Sequence, residues 1–273
     1  MNATMVTSET LPRALGAQPR HTRPRSFTEV PPISRTLLRL FTAYSESYLG
    51  RHFAAIYLSG PKPEFRSLTG PVVVYLNHAS WWDPLVCLLL ANRFFADRGN
   101  YAPIDANALA QFRFFRKLGF FGVEKDSRRG VIQFLENSAA ILNHVNSVLW
   151  VTPQGEFVDP RVRPISLKGA IGQLPSLHPD LRFVPLALDY FFTGVRLPSI
   201  AVRFGNPVAV SDLPFLDRHE WTSNLARALE TCQDTLAEEV TSRHIFNCAP
   251  LLTGRRGTGG VYGFWQSLRR QKC

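Results

Sequence analysis

No apolar run in the sequence approaches the ~18–20 residues needed to cross a bilayer as a helix. The longest candidates, VVVYL at Val72–Leu76 and PLVCLLLA at Pro84–Ala91, are the size of core elements. Cysteine is sparse, and Cys87, Cys232, Cys248 and Cys273 include no Cys-x-x-Cys pair. This scatter argues against a zinc knuckle and a disulfide framework, and predicts no metal and a reducing, cytosolic setting. The opening MNATMVTSETLPRALG lacks a charged segment followed by an apolar one, so no secretory signal is expected. A Gly-x-Ser-x-Gly elbow is also missing, which removes the usual serine nucleophile of an α/β hydrolase.

Acidic residues are outnumbered, 21 against 31 Lys and Arg, for a net charge of +10. The excess sits at the ends. Residues 1–35 carry five Arg against two Glu, and residues 251–273 carry four Arg and one Lys against no acid, which leaves only +2 for the middle. Basic ends predict contact with an anionic surface and say nothing about the fold. The basic residues are not interleaved with stacking aromatics in the core strands, so a nucleic-acid partner is not expected.

What is present is material for one core: 273 residues, 45% of them hydrophobic. Residues 1–35 are rich in Pro, Thr, Ser and Arg without apolar periodicity, and read as a disordered basic arm. From Arg35, the spacing of Leu37, Leu40, Phe41 and Tyr44 predicts an amphipathic helix passing through Gly50 into a strand at Phe53–Leu58. Strands are then expected at Val72–Leu76, Tyr101–Ile104, Gly122–Glu124 and SVLWVTP, and later in LRFVPLALDYFF and SIAVRFGNPVAV. Between them, helices are expected at Trp82–Phe95, Ala106–Leu118 and Arg129–Asn143, a short one from SLKGAIGQL, and a long one at Glu220–Val240. Strands alternating with helices of this length predict a single α/β domain over 36–245: a mainly parallel mixed sheet covered by helices on both faces. Residues 246–273 read as a basic aromatic tail.

The segment NHASWWDPL follows directly on the strand Val72–Leu76, at the carboxyl end where open α/β sheets place their ligands. Five positions separate His78 from Asp83. A carboxylate in the first helical turn can accept a hydrogen bond from one imidazole nitrogen, fixing the tautomer while the other nitrogen serves as a general base. The same letters also spell a capping box, with Ser80 and Asp83 exchanging backbone bonds at a helix start, and this segment by itself leaves both readings open.

NHASWWDPL resembles the His-x4-Asp block of the glycerolipid acyltransferase superfamily, the lysophosphatidate and glycerol-phosphate type. KLGFFGVEKDS is similar to that family's second block, TPQGEF to its third and FVPLALDY to its fourth, in the same order; SLKGA matches a Lys-Gly-Ala segment. The likeness covers roughly residues 53–210. It implies the α/β fold above and an O-acyltransferase using acyl-CoA or acyl carrier protein as co-substrate, with no resident cofactor. His78 would be the base, Asp83 its orienting partner, and the acceptor hydroxyl would attack the thioester directly without an acyl-enzyme. The implied substrate-binding set is Asn77, Trp81, Gly122, Lys125, Pro153, Gln154, Gly155, Glu156 and Lys168.

The third block departs from the family pattern Phe-Pro-Glu-Gly-Thr-Arg. Gln154 replaces the glutamate, Glu156 the threonine and Phe157 the arginine. A phosphate beside a carboxylate is disfavoured. The expected acceptor is therefore a neutral lipid or glycolipid hydroxyl, with Lys125, Arg161, Arg163 and Lys168 as the remaining nearby cations. The family's usual setting implies phospholipid metabolism at the inner membrane face, reached through the basic aromatic tails. The altered block leaves a catalytically silent lipid-binding member as the alternative.

Overall fold

A computed structural model describes residues 30–255, apart from Thr193 and Pro214. Most of the expected N-terminal arm and most of the C-terminal tail therefore lie outside the described residues.

Alternation of helical and extended segments produces one sheet. In chain order the elements are α1 (Arg35–His52), β1 (Ala55–Ser59), β2 (Val72–Leu76), α2 (Asp83–Phe94), β3 (Gly99–Asp105), α3 (Ala106–Gln111), β4 (Phe120–Val123), α4 (Arg128–Leu142), β5 (Ser147–Val151), β6 (Arg182–Phe191), β7 (Ser199–Phe204), β8 (Val208–Ala209), α5 (Arg218–Thr241) and β9 (Pro250–Thr253). The strands lie in the order β4-β3-β5-β2-β6-β7-β1-β9, with β8 paired to β6. From β4 to β6 neighbouring strands are parallel; β7 runs antiparallel to β6, β1 is parallel to β7, and β9 is antiparallel to β1. Every residue of β2 and β5 is buried, as the unbroken apolar runs VVVYL and SVLWV demand of strands covered on both faces.

Alternate residues of β2 feed two cores. Val72, Val74 and Leu76 pack with Val86, Leu89, Leu90 and Phe94 of α2 on one face. Val73 and Tyr75 face Ile141 and Leu142 of α4 and Trp221, Leu225 and Leu229 of α5 on the other. This is the architecture expected from the sequence, with helices on both faces of a mixed sheet.

Four local expectations change. The helix expected to run to Leu118 stops at Gln111 and continues as a 3-10 turn, Arg113–Lys117. In a 3-10 turn positions i and i+3 eclipse, bringing Phe112 onto Phe115 at 6.0 Å between ring centroids. The short helix assigned to SLKGAIGQL begins only at Ile171 and is a 3-10 segment containing Pro175, whose ring and missing N–H do not suit an α-helical interior. The domain does not end at 245, because Pro250–Thr253 adds an edge strand to β1. At the other end Ile33 bridges to Leu118, and Ser34 N–H donates to Lys117 O at 2.8 Å, so the fold begins before residue 36.

Candidate active site

Three adjacent parallel strands, β5, β2 and β6, deliver side chains to one end of the sheet. After β2 the chain turns through Asn77–Trp82 into α2. His78 Nδ1 lies 2.7 Å from Asp83 Oδ2. A carboxylate only accepts, so Nδ1 carries a proton, and in the neutral imidazole Nε2 then keeps its lone pair. The same oxygen accepts from Ser80 N–H at 3.0 Å, while Ser80 Oγ accepts from Trp82 N–H at 3.3 Å rather than from Asp83. Asp83 thus combines half of a cap with the bracing of His78, and the two readings of this segment are not exclusive. Its side chain is 1% exposed and that of His78 is 20% exposed, so the carboxylate is enclosed while the imidazole keeps an open side.

Tyr190, near the end of β6, completes the enclosure. Its hydroxyl donates to Asp83 Oδ1 at 2.6 Å. Burial first, then the charge of Asp83, push the Tyr190 pKa far up, so the phenol remains a donor. Asp83 accepts from three protein donors, as a buried carboxylate must.

From β5 comes the loop Thr152–Val158, which holds the backbone of His78 on both sides. Gln154 Oε1 accepts from His78 N–H at 2.8 Å, and Val158 N–H donates to His78 O at 2.9 Å. Between these contacts Phe157 lays its ring against the imidazole, with centroids 4.3 Å apart, while remaining 60% exposed. Gly155 has φ +76°, a left-handed conformation natural to glycine, and a Cβ there would meet the Lys168 side chain. Lys168 crosses above Gly155 and pairs with Asp126 at 2.8 Å.

An apolar cavity of about 1100 Å³ reaches His78, Asp83 and Trp81. Its walls include Leu38 and Phe41 of α1, Leu85 and Leu88 of α2, Ile104 of β3, and Phe115. Cys87, one turn after Asp83, also lines it, and burial followed by the Asp83 charge raises the pKa of its thiol. Asn100 and Trp150 also line the cavity, joined by a 3.0 Å bond from the indole N–H to the amide oxygen.

The residues singled out from the sequence divide into groups. His78, Asp83 and Trp81 line the cavity, and Trp81 is 55% exposed. Pro153, Gln154 and Gly155 form the loop that grips His78. Asn77 was expected among the substrate ligands, but it is fully buried and its amide is consumed by Leu188, donating to the carbonyl at 3.0 Å and accepting from the N–H at 2.8 Å. Gly122 pairs with Ile104 of β3, and a Cβ there would meet Ala106 and Leu109; it does not itself line the cavity. Lys125 is exposed near Asp126 and Lys168, and Glu156 is exposed on the loop. Arg161 and Arg163, counted as nearby cations, are engaged by Asp159 and Asp234. Tyr190, Cys87 and the contact of the Phe157 ring with His78 were missed. Tyr190 and Phe157 depend on strand neighbours distant in sequence, whereas Cys87 lies one helical turn after Asp83, a local spacing that places it beside the site.

No family model and no curated protein matches the sequence. A solved structure does: the 1-acyl-sn-glycerophosphate (LPA) acyltransferase PlsC from Thermotoga maritima, 13% identical, with TM-score 0.50, covering 74% of this chain and 79% of that one. The fold is the PlsC acyltransferase fold. Among the described residues no helix is long and apolar enough to cross a membrane.

Proposed function

We propose that the protein is an O-acyltransferase that moves a fatty acyl group from a thioester, acyl-CoA or acyl carrier protein, to the hydroxyl of a lipid-like acceptor. The observation carrying this reading is an apolar cavity that ends at an imidazole whose Nδ1 is bonded to a buried carboxylate. In the proposed reaction His78 Nε2 takes the acceptor proton and the freed oxygen attacks the thioester carbonyl. The tetrahedral centre then expels the thiolate, which recovers the proton from His78. Asp83 fixes the tautomer and stabilises the transient imidazolium. The acyl chain occupies the apolar cavity.

A neutral acceptor, a lipid or glycolipid hydroxyl, is favoured over a phosphorylated one. Phe157 rather than a cation lies against His78, and Arg161, Arg163 and Lys168 are each paired with a carboxylate. Placement at the inner face of the membrane belongs to the same reading.

Phe157 covering one face of the imidazole also suits a silent lipid-binding protein. Thiol release from acyl thioesters, measured with a panel of neutral and phosphorylated alcohols, separates the two. Acceptor-dependent release that vanishes in His78→Ala is expected; no release with any donor and acceptor would leave the binding protein.

A further inference from the structure

The cavity that reaches His78 runs the whole height of the sheet. His78 stands two residues beyond the end of β2, at the carboxyl edge. The other end is marked by Gly99, where β3 begins and pairs with Ser147, one position before the Val148–Val72 pair. Six chain positions separate His78 from Val72, about 20 Å at ~3.3 Å per residue. One leaflet of hydrocarbon is only ~15 Å thick, so a chain of membrane length reaches from one end almost to the other. Between the ends the walls are apolar and include Leu85, Leu88 and Ala91 of α2 with Ala102 and Ile104 of β3. At the amino edge the lining changes. Asn92, Ala96 and Asp97 belong to the wall and are exposed, so the cavity meets water there as well.

Two further exposed lining residues, Arg35 and Arg39, come to that same end. Ile33 bridges to Leu118, and Gly119 O accepts from Ala102 N–H, which sets the start of α1 beside the first half of β3. From there α1 climbs to the carboxyl edge, where the rings of Tyr48 and His52 meet Trp82 at 5.3 and 5.0 Å. Its first two turns therefore hold Arg35 and Arg39 at the end remote from His78. Neither makes an ion pair among the described residues. The described wall holds two acids, Asp83 beside His78 and Asp97 at the far end, where Arg98 is committed to the carbonyls of Leu68 and Gly70.

We infer that the cavity is a channel open at both ends and that it takes long acyl chains ending in a carboxylate, which Arg35 and Arg39 meet at the far mouth. An apolar pocket with a closed floor would strip the water from such a group and reject it. An open mouth leaves the carboxylate hydrated, and two guanidinium groups offer charge-assisted hydrogen bonds that a methyl terminus cannot use. Asp97 opposes this with one negative charge against two positive ones. The substrate class is therefore the monothioester of a long dicarboxylic acid. This occupancy rests on the acyl chain filling the cavity, as in the proposed function, but binding alone tests it and no turnover is needed.

The test is calorimetric titration of the full chain with uncleavable thioether analogues of acyl-CoA, carrying hexadecyl or octyl chains that end in either a methyl or a carboxyl group. The carboxyl-ended hexadecyl analogue should bind at least as tightly as its methyl-ended twin. The octyl pair should differ by about tenfold or more in the opposite sense, because the shorter chain strands its carboxylate inside the apolar stretch. Arg35→Glu with Arg39→Glu, shown to be folded by circular dichroism, should weaken the carboxyl-ended hexadecyl analogue about threefold or more and leave the methyl-ended one within about twofold. A carboxyl penalty at both lengths marks a closed floor and overturns the inference. So does a carboxyl group that makes no difference at either length, or the failure of every analogue to bind. A double variant that weakens both hexadecyl analogues alike would give the two cations to the CoA phosphates, and overturns it too. The expected binding pattern in a protein that releases no thiol would end the acyltransferase reading and leave the channel standing.

Discussion

Tyr190 and His78 hold opposite oxygens of one carboxylate: the phenol donates to Asp83 Oδ1 at 2.6 Å, and the imidazole lies 2.7 Å from Oδ2. Strand β6 therefore positions the base of a loop that follows β2. A hydrogen bond to a charged group contributes about 1.5–3 kcal/mol, so Tyr190→Phe should lower kcat by roughly tenfold or more and leave KM for the thioester near its original value. Steady-state kinetics checks this, and an equal loss in KM alone would assign Tyr190 to binding.

His78→Ala should abolish acyl transfer with the fold intact, since the imidazole makes one side-chain bond and is partly exposed. Asp83→Ala removes the brace, the bond to Ser80 N–H and the acceptor of the Tyr190 hydroxyl. It should abolish transfer and also lower stability, by at least the ~1 kcal/mol typical of a lost cap. Denaturant titration distinguishes the two variants.

Cys87 lines the cavity one helical turn from Asp83. Cys87→Phe places a ring in that space and should depress turnover of long-chain thioesters more than of short-chain ones. A uniform effect across chain length, measured by thiol release, would place the acyl chain elsewhere. The raised pKa of the thiol predicts slow alkylation by iodoacetamide at neutral pH.

Gly155→Ala forces a left-handed residue to carry a Cβ and pushes it against Lys168. A loss of about 1–2 kcal/mol is expected, read as a fall of several degrees in the thermal midpoint. Because Gln154 holds His78 N–H, kcat should fall as well.

At the start of α5, Asp217 accepts from Glu220 N–H at 2.8 Å and His219 N–H at 2.7 Å, and these bonds hold its carboxyl below the ordinary value. A carboxylate with a depressed folded pKa stabilises the fold above the unfolded pKa of ~3.9, and that contribution is lost as pH falls through the folded value. Asp217→Asn should therefore be less stable than the unaltered chain above about pH 4, with the gap closing below it in thermal melts.

The sequence revealed most where a segment's own period decides its structure. Strand β2 spans the expected Val72–Leu76, because five apolar residues between Pro71 and the polar NHAS have no other reading. Helices α2, α4 and α5 lie within two residues of their expected limits. The turn at Arg113–Lys117 was hidden because the ring packing that favours it involves Phe41, some seventy residues earlier. At the site, His78 and Asp83 were legible from five-residue spacing at a strand end, whereas Tyr190 needed the pairing of β2 with β6. Asn77 stood out because it adjoins His78, yet its amide joins β6 to the loop in place of a ladder bond.

The position of β1 has a consequence for how a cell makes this chain. Ile56 pairs with Ile200 on one side and Leu252 on the other, so the strand synthesised first joins the sheet only when nearly everything else has left the ribosome. At ~5–20 residues per second, the interval between Ile56 and Ile200 lasts roughly seven to thirty seconds. Throughout it both edges of a largely apolar segment stand open to neighbouring nascent chains, and shielding by chaperones has its greatest effect in that window.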